Sequence, residues 1–253
     1  MRPLVLKTKY AFHTLLWALN PDVVFDIGSM DGADSKRFRS LLRDADLVAF
    51  EANPNNFRLM EADKDIHDKR IRVINQLVSG SQGIQSFYIQ RPEKEAPGLN
   101  RGTSSALPRT ESGMRNEEVQ VASVRIDSFI TQNYPQSSKV AMWVDVEGFA
   151  YEALESMSGC AENIKLIHVE VETSECWPGQ KLEPDVVGLL QRMGFILLAH
   201  GKHNVQRDLI LVHRSWYHSK AQGEIDTLLK LSHLAGPAIS RALSLVPAKT
   251  YRS

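Results

Sequence analysis

The chain has 253 residues, in which 30 lysine and arginine residues balance 30 aspartate and glutamate residues. A neutral chain lacks the charge excess of a nucleic-acid or anionic-membrane binder, so a small-molecule or glycan partner is favoured and no nucleic acid is expected. The two cysteines, Cys160 and Cys176, have neither the number nor the spacing of a disulfide framework or a zinc site. We therefore expect a cytoplasmic protein with one core, a single domain over residues 1–253.

Residues 1–20 have the pattern of a helix packed on a core. The apolar positions recur at helical spacing and end at Asn20-Pro21: Phe12, Leu15, Leu16 and Leu19. Polar residues interrupt this patch, which argues against a secretory signal. No apolar run approaches the ~20 residues of a transmembrane segment.

Short apolar strands then alternate with amphipathic helical stretches, a pattern typical of a mainly parallel sheet with helices on both faces. Seven strands are predicted, at Val23–Ile27, Leu47–Glu51, Ile71–Leu77, Val140–Val146, Ile164–Val171, Phe195–Ala199 and Leu209–Val212. Helices are predicted between them, at Ala33–Arg43, Asn55–Asp63, Ala150–Met157 and Pro184–Met193. The short connection before the last strand predicts an antiparallel pair.

Two further regions depart from this alternation. Residues 91–118 are polar and rich in proline and glycine, between β-like runs at Ile84–Gln90 and Val119–Ile126, and are predicted to be a lid over a site or a segment without fixed structure. Residues 215–253 are predicted to form a helical tail, broken at Gly236-Pro237, that caps the core or makes a homodimer contact with the N-terminal helix.

The stretch VVFDIGSMDGADSKRF follows the first strand and enters the first helix. Ligands of doubly wound sheets bind beyond the carboxyl ends of the strands, which places Asp26, Gly28, Ser29 and Gly32 at a ligand site. Glycine permits a tight turn and close approach of a ligand to the backbone. A dinucleotide would need a glycine where Met30 stands, and the acid that follows would repel its pyrophosphate.

The second strand, LVAFEANPNNF, ends in Glu51, which lies 23 residues after Gly28. An acid at that spacing accepts hydrogen bonds from ribose hydroxyls. Asp26 and Glu51 together favour a ligand with a ribose and a positive charge but no phosphates, a description that fits S-adenosylmethionine.

The fourth and fifth strands end in acidic patterns, VAMWVDVEGFAYEAL and IKLIHVEVET. Carboxylates so close together need a shared proton, a basic group or a cation. One solution is Mg²⁺ or Mn²⁺ held by Asp145, Glu170 and Glu172. Another is a carboxylate, Asp145 or Glu147, that acts as general base on a hydroxyl.

Simpler roles and other bases remain open for these residues. Asp145 or Glu147 could instead cap the following helix. His168, within an apolar strand, is expected to be a core histidine with satisfied hydrogen bonds. His200 and His203, in the loop before the last strand, are further candidate bases.

The order of motifs resembles the FkbM-type S-adenosylmethionine-dependent methyltransferases. The similar segments run from Val23 to Val212 and include D-I-G-S-M-D-G, V-A-F-E-A-N-P, L-V-S-G-S-Q-G, V-R-I-D-S-F-I and V-D-V-E-G-F-A-Y-E-A-L. The resemblance implies a Rossmann-like class I methyltransferase fold and O-methylation of a sugar, glycan or natural-product hydroxyl. A non-catalytic adenosyl-binding or scaffold protein and a nicotinamide-dependent oxidoreductase are the competing interpretations.

Roles follow from the resemblance position by position. Asn53 would lie at the rim of the cofactor site and Ser79 near the adenine. Asp145 and Glu147 would mark the reacting end, and Asp145 would also contact the cofactor. The fourth strand departs from the family pattern, because Trp143 stands where family members usually have lysine. An aromatic ring there could stack on a sugar.

Overall fold

The computed structural model describes residues 3–92, 102–109, 114–202, 205–221 and 223–245. Its strands are β1 (Leu4–Val5), β2 (Val23–Ile27), β3 (Asp46–Phe50), β4 (Ile71–Ile74), β5 (Leu77–Val78), β6 (Gly83–Pro92), β7 (Met114–Val124), β8 (Val140–Val144), β9 (Ile164–Glu172), β10 (Phe195–His200) and β11 (Gln206–His213). Its helices are α1 (Thr8–Leu19), α2 (Ala33–Leu41), α3 (Pro54–Glu61), α4 (Lys64–Asp68), α5 (Ile126–Asn133), α6 (Ala150–Glu155), α7 (Glu183–Arg192), α8 (Arg214–Ser219) and α9 (Glu224–Leu245).

The main sheet has the strand order β1-β10-β11-β9-β8-β2-β3-β4. Only β11 runs antiparallel, inserted between β9 and β10. Strand order reverses between β2 and β8, which are neighbours, so the carboxyl ends of β2, β3, β8 and β9 meet at one edge. That reversal creates the crevice in which doubly wound sheets bind ligands.

Apolar side chains alternate across the main sheet and build a core on each face. Phe25 and Met142 pack with α5, α6 and α7, whereas Val24 and Ala141 pack with α1, α2 and α9. Helices therefore cover both faces, and the α/β class with a mainly parallel sheet and an antiparallel final strand is confirmed.

The predicted count of seven strands is wrong by one. The two-residue strand β1 joins the edge beside β10, and so short a segment has no readable periodicity. The predicted strand Ile71–Leu77 is also divided, because β5 leaves the main sheet and pairs with β7 in a separate sheet of order β5-β7-β6. The predicted strand to Ile126 ends at Val124, and Ile126 begins α5.

The prediction that Gly236-Pro237 breaks the tail is also wrong. Helix α9 continues through Pro237 to Leu245. Gly236 lies against the Tyr10 side chain, where an added Cβ would come within 2.7 Å, so α9 is docked closely on α1 across this point. Among the described residues, no helix combines the length and apolarity needed to cross a membrane.

Candidate active site

The turn after β2 touches the end of β8. The backbone N–H of Asp145 donates to the Ile27 carbonyl at 2.9 Å, and the Gly28 N–H donates to the Phe50 carbonyl at 3.0 Å. Gly28 has φ of +83°, and a Cβ there would lie 1.8 Å from the Asp145 carbonyl oxygen. Only glycine fits this close approach of two chain segments, which brings the turn after β2 and the acidic end of β8 together.

Asp26, in β2, holds the turn that follows this strand through hydrogen bonds. Its Oδ2 accepts from the hydroxyls of Ser29 at 2.7 Å and Ser35 at 2.6 Å, and from the Ser35 N–H at 3.1 Å. Burial raises the pKa of Asp26 to about 6. Gly32 starts α2 against Ile66 with φ of +72°. Asp26, Ser29 and Gly32 thus fix the turn and do not line the cavity described below.

Glu51 ends β3 and faces a cavity. Its Oε2 accepts the Met30 N–H at 2.7 Å, and its Oε1 accepts the Asn53 N–H at 2.8 Å. Burial raises the pKa of Glu51 to about 7. The Asn56 side chain is a third hydrogen-bond donor to Glu51. Because two carboxylate oxygens offer about four acceptor sites, Glu51 keeps capacity for a further donor such as a ribose hydroxyl.

The cavity beside Glu51 has a volume of about 50 Å³. Its walls come from β2, β3, β8, the segment around β5, and residues 102–106; they include Gly28, Met30, Phe50, Glu51, Asn56, Gln76, Leu77, Phe87, Ser104, Asp145 and Glu147. Three of these residues were not predicted from the sequence: Gln76, Leu77 and Phe87. The rule that ligands gather at carboxyl ends of strands would have indicated Gln76, which follows β4.

Ser79 and Asn53 lie just outside this cavity. The Ser79 hydroxyl is bonded with the Gln85 amide, at 3.1 and 3.2 Å. Asn53 caps α3 by accepting the Asn55 N–H at 3.0 Å, and its Nδ2 donates to the Ser104 hydroxyl at 3.3 Å. Asn53 therefore links α3 to the segment above the cavity, and its place at the rim of a cofactor site stays a prediction.

Residues 102–109, which we term the cover segment, lie across the cavity within the predicted lid region. The Ser105 backbone pairs with Tyr88 of β6 at 2.8 and 3.1 Å. The Ser105 hydroxyl donates to the Glu147 carbonyl at 2.6 Å and accepts the Leu107 N–H at 3.1 Å. These bonds tie the cover segment to the acidic strand end. Residues 93–101 and 110–113 of the predicted lid lie outside the described residues.

Asp145, Glu147 and Glu170 form an acidic cluster at the ends of β8 and β9, with one oxygen from each within 4.8 Å of the others. Burial, with the neighbouring carboxylates as a second cause, raises the pKa of Asp145 to about 7, Glu147 to about 8 and Glu170 to about 9. At neutral pH the cluster therefore holds protons, or a cation takes their place.

The predicted metal set differs from this cluster by one residue. Glu172 is buried and its Oε2 accepts the Gln180 amide at 2.9 Å, whereas Glu147 joins Asp145 and Glu170. Three carboxylate oxygens suit Mg²⁺ or Mn²⁺ in chemistry. The Gln206 amide donates to Glu170 Oε1 at 2.8 Å. This hydrogen bond stabilises one carboxylate of the cluster.

No histidine among the described residues lines this cavity. His200 ends β10, and its Nδ1 is 2.9 Å from the Gly201 carbonyl oxygen; His203 lies outside the described residues. His168 is a core residue whose ring stacks on that of Trp143, with the ring centroids 3.5 Å apart. Trp143 is itself buried, so its ring is not accessible to a sugar. Neither nitrogen of His168 has a hydrogen bond, contrary to the expected satisfied histidine, and burial lowers its pKa to about 4.

The fold and this site define a Rossmann-like methyltransferase of class I: a parallel sheet with one inserted antiparallel strand, a glycine turn, and acids at the ends of β3 and β8. The sequence model of the methyltransferase FkbM domain matches residues 26–197. The chain belongs to the FkbM methyltransferase family.

Individual relatives are distant. The chain is 24% identical over 211 residues to the 2-O-methyltransferase NoeI of Sinorhizobium fredii (strain NBRC 101917 / NGR234), a match that covers 81% of this chain and 85% of NoeI. Among solved structures, the N-terminal domain of EvdMO1 with SAH bound is 12% identical with a TM-score of 0.43, covering 83% of this chain and 82% of that one. An O-methyltransferase from Bacillus cereus in complex with SAH is 12% identical with a TM-score of 0.44. That match covers 83% of this chain and 82% of the other. The strand order, with one antiparallel strand between β9 and β10, defines the fold.

Proposed function

We propose that the protein transfers a methyl group from S-adenosylmethionine to a hydroxyl of a sugar, glycan or sugar-containing natural product. Membership of the FkbM methyltransferase family supports methyl transfer. The description of its relative NoeI as a 2-O-methyltransferase supports oxygen as the acceptor atom.

One observation carries the choice of a hydroxyl acceptor: a carboxylate cluster borders the cavity that contains Glu51. A neutral hydroxyl is a weak nucleophile and needs a base as it reacts. A base is most effective when its pKa lies near the working pH, and burial brings the pKa of Asp145 to about 7. Asp145 lines the cavity and is our candidate base.

The residues of the cavity fit S-adenosylmethionine. Glu51 offers acceptor capacity for a ribose hydroxyl, and Phe50, Leu77 and Phe87 offer apolar surface for the adenine. Gly28 also lines the cavity and lies beside the position proposed for the amino-acid end of the cofactor. When bound, this cofactor supplies an electrophilic methyl group on a positively charged sulfur.

In the proposed mechanism the chain orients the acceptor, removes its proton and excludes water. Asp145 accepts the hydroxyl proton as the oxygen attacks, and nearby Glu147 and Glu170 make proton storage favourable because like charges resist ionisation. The cover segment shields the cavity through Ser105. Alignment of the reacting atoms contributes most, since well-oriented intramolecular systems gain ~7–11 kcal/mol.

The experiment is an assay of methyl transfer with purified protein, S-adenosylmethionine and a panel of glycosides, with S-adenosylhomocysteine and methylated sugar quantified by mass spectrometry. We expect equal amounts of both products with a sugar acceptor. Cofactor binding without transfer to any hydroxyl would favour the non-catalytic adenosyl-binding alternative. Oxidation of an alcohol with a nicotinamide cofactor would favour the oxidoreductase alternative.

A further inference from the structure

A second cavity, of about 500 Å³, lies between the start of α1, the end of β10 and α9. This volume falls in the range of roughly 300–1,000 Å³ that is usual for small-molecule sites. Polar and charged side chains line it: Lys7, Lys9, Tyr10, Lys202, Asp208 and His233. We term it the lysine cavity, and the proposed mechanism for Asp145 does not account for it.

The lysine cavity adjoins the acidic cluster through Asp208. Asp208 of β11 stands opposite Glu170 of β9 in the strand register, and Glu170 belongs to the cluster with Asp145. The charge of Asp208 is also the leading carboxylate influence that raises the pKa of Asp145. Asp208 therefore links the lysine cavity to the acidic cluster, because it lines this cavity and stands beside Glu170.

The outer end of the lysine cavity is positive in a chain with no net charge. Lys9 pairs with Asp34 at 3.1 Å, whereas Lys7 and Lys202 are exposed and form no ion pair with any residue in the described ranges. The one carboxylate in the lining, Asp208, accepts the Thr8 hydroxyl at 3.0 Å. Lys7 and Lys202 are consequently available to a ligand.

We propose that the lysine cavity is the acceptor site and that the acceptor is a sugar carrying a carboxylate, sulfate or phosphate group. This inference rests on the proposed function. An anion is attracted by Lys7 and Lys202 and repelled by the carboxylate of Asp208, so the cavity orients such a sugar with its anion outward. A hydroxyl then faces Asp145. In the transfer a C–O bond forms, the methyl–sulfur bond breaks, and the hydroxyl proton passes to the carboxylate.

The test compares matched sugars that differ only in charge. Calorimetric titrations at low salt, with and without S-adenosylhomocysteine, would use 4-nitrophenyl β-D-glucoside against 4-nitrophenyl β-D-glucuronide. Glucose is compared in the same way with its 6-sulfate and its 6-phosphate. We expect at least one anionic sugar to bind about five- to tenfold more tightly than its neutral parent, from two exposed ion pairs. The preference should vanish in about 1 M NaCl, where screening is nearly complete.

Paired variants assign the preference to this cavity. The variant K7A/K202A should lose the preference, with the ratio of affinities falling to about one, and K7E/K202E should favour the neutral sugar. The control K64A/K181A removes two exposed lysines elsewhere and should keep it. A preference that survives in K7A/K202A, or equal affinities in the unaltered protein, would overturn the inference.

The two proposals fail in different ways. If neutral sugars are methylated as well as anionic ones, the proposed function stands and the anionic acceptor is wrong. If S-adenosylmethionine does not bind, the proposed function is wrong, and the titrations without cofactor still report whether the lysine cavity selects anions.

Discussion

Asp145 stands where the chain leaves β8, with its backbone bonded to β2 and its carboxylate beside two others. An acid with a pKa of about 7 is mostly protonated below neutrality and ionised above it. Only the ionised form can take a proton from a hydroxyl, so activity should rise with pH through about 7. The midpoint belongs to the coupled cluster rather than to one residue.

At the residue scale, we expect Asp145→Asn to lower kcat by about 10²- to 10⁴-fold, because the amide cannot accept the proton. The effect on the affinity for S-adenosylmethionine should be much smaller. Steady-state rates across pH and calorimetric titration with the cofactor check both parts, with exposed Asp44→Asn as the control. A fully active Asp145→Asn protein would remove Asp145 from the mechanism.

At the scale of elements, the ends of β8 and β9 bring several carboxyl groups together. In the unfolded chain these carboxyls ionise near pH 4, whereas the pKa of Glu170 in the fold is raised to about 9. Between these values the folded state binds more protons than the unfolded state. The free energy of unfolding therefore falls as pH rises from about 4 to about 9.

Glu170→Gln should make this pH dependence shallower. At about pH 8.5 we expect its Tm to exceed that of the unaltered protein by about 2–4 °C, corresponding to about 1 kcal/mol in a chain of this size. At about pH 5 the two should nearly coincide, because the carboxyl is then protonated in the fold. Glu61→Gln, on the exposed side of α3, should change neither value.

The same melting curves distinguish protons from a cation. If Mg²⁺ raises the Tm of the unaltered protein at high pH and not that of Glu170→Gln, the cluster binds the metal. If Mg²⁺ has no effect on either, protons and the Gln206 hydrogen bond balance the cluster.

The cover segment is the second element with a testable role. A cavity of about 50 Å³ is far below the roughly 300 Å³ of a typical ligand site, so the segment must move for the cofactor to enter. Ser105→Ala removes the hydroxyl bond to Glu147. We expect dissociation of S-adenosylmethionine to become about fivefold faster in stopped-flow measurements, which is the loss of one hydrogen bond of about 1 kcal/mol.

Ser137→Ala is the matched control for this prediction, because Ser137 is exposed and belongs neither to the cover segment nor to the cavity lining. Unchanged dissociation in Ser105→Ala would mean that the cover segment is not held closed by this bond.

For the molecule as a whole, the sequence predicted the fold well because its strands are short, apolar and regularly interrupted by helices. Seven of the eight strands of the main sheet follow from that pattern. β1 was missed because two residues have no period, and the continuation of α9 past Pro237 was missed because it depends on packing against Tyr10.

The candidate site was predicted in part. Glu51, Gly28 and the acids after β8 could be located, since strand ends converge in this fold. The role of Asp26 in holding Ser29 and Ser35 could not, because hydrogen bonding within a turn leaves no signal in composition. Glu172 was predicted in the acidic cluster, but Glu147 takes its place. The Gln180 amide binds the Glu172 carboxylate, and this contact between side chains cannot be read from the sequence.

The most direct measurement is calorimetric titration of the purified protein and its Glu51→Gln variant with S-adenosylmethionine and, separately, with NAD. We predict saturable binding of S-adenosylmethionine and none of NAD, and an affinity about 10- to 100-fold lower in the variant, because a charge-assisted hydrogen bond to the ribose is lost. Thermal unfolding of the variant shows that it is folded. Binding of NAD, or equal affinity of both proteins for S-adenosylmethionine, would contradict the account.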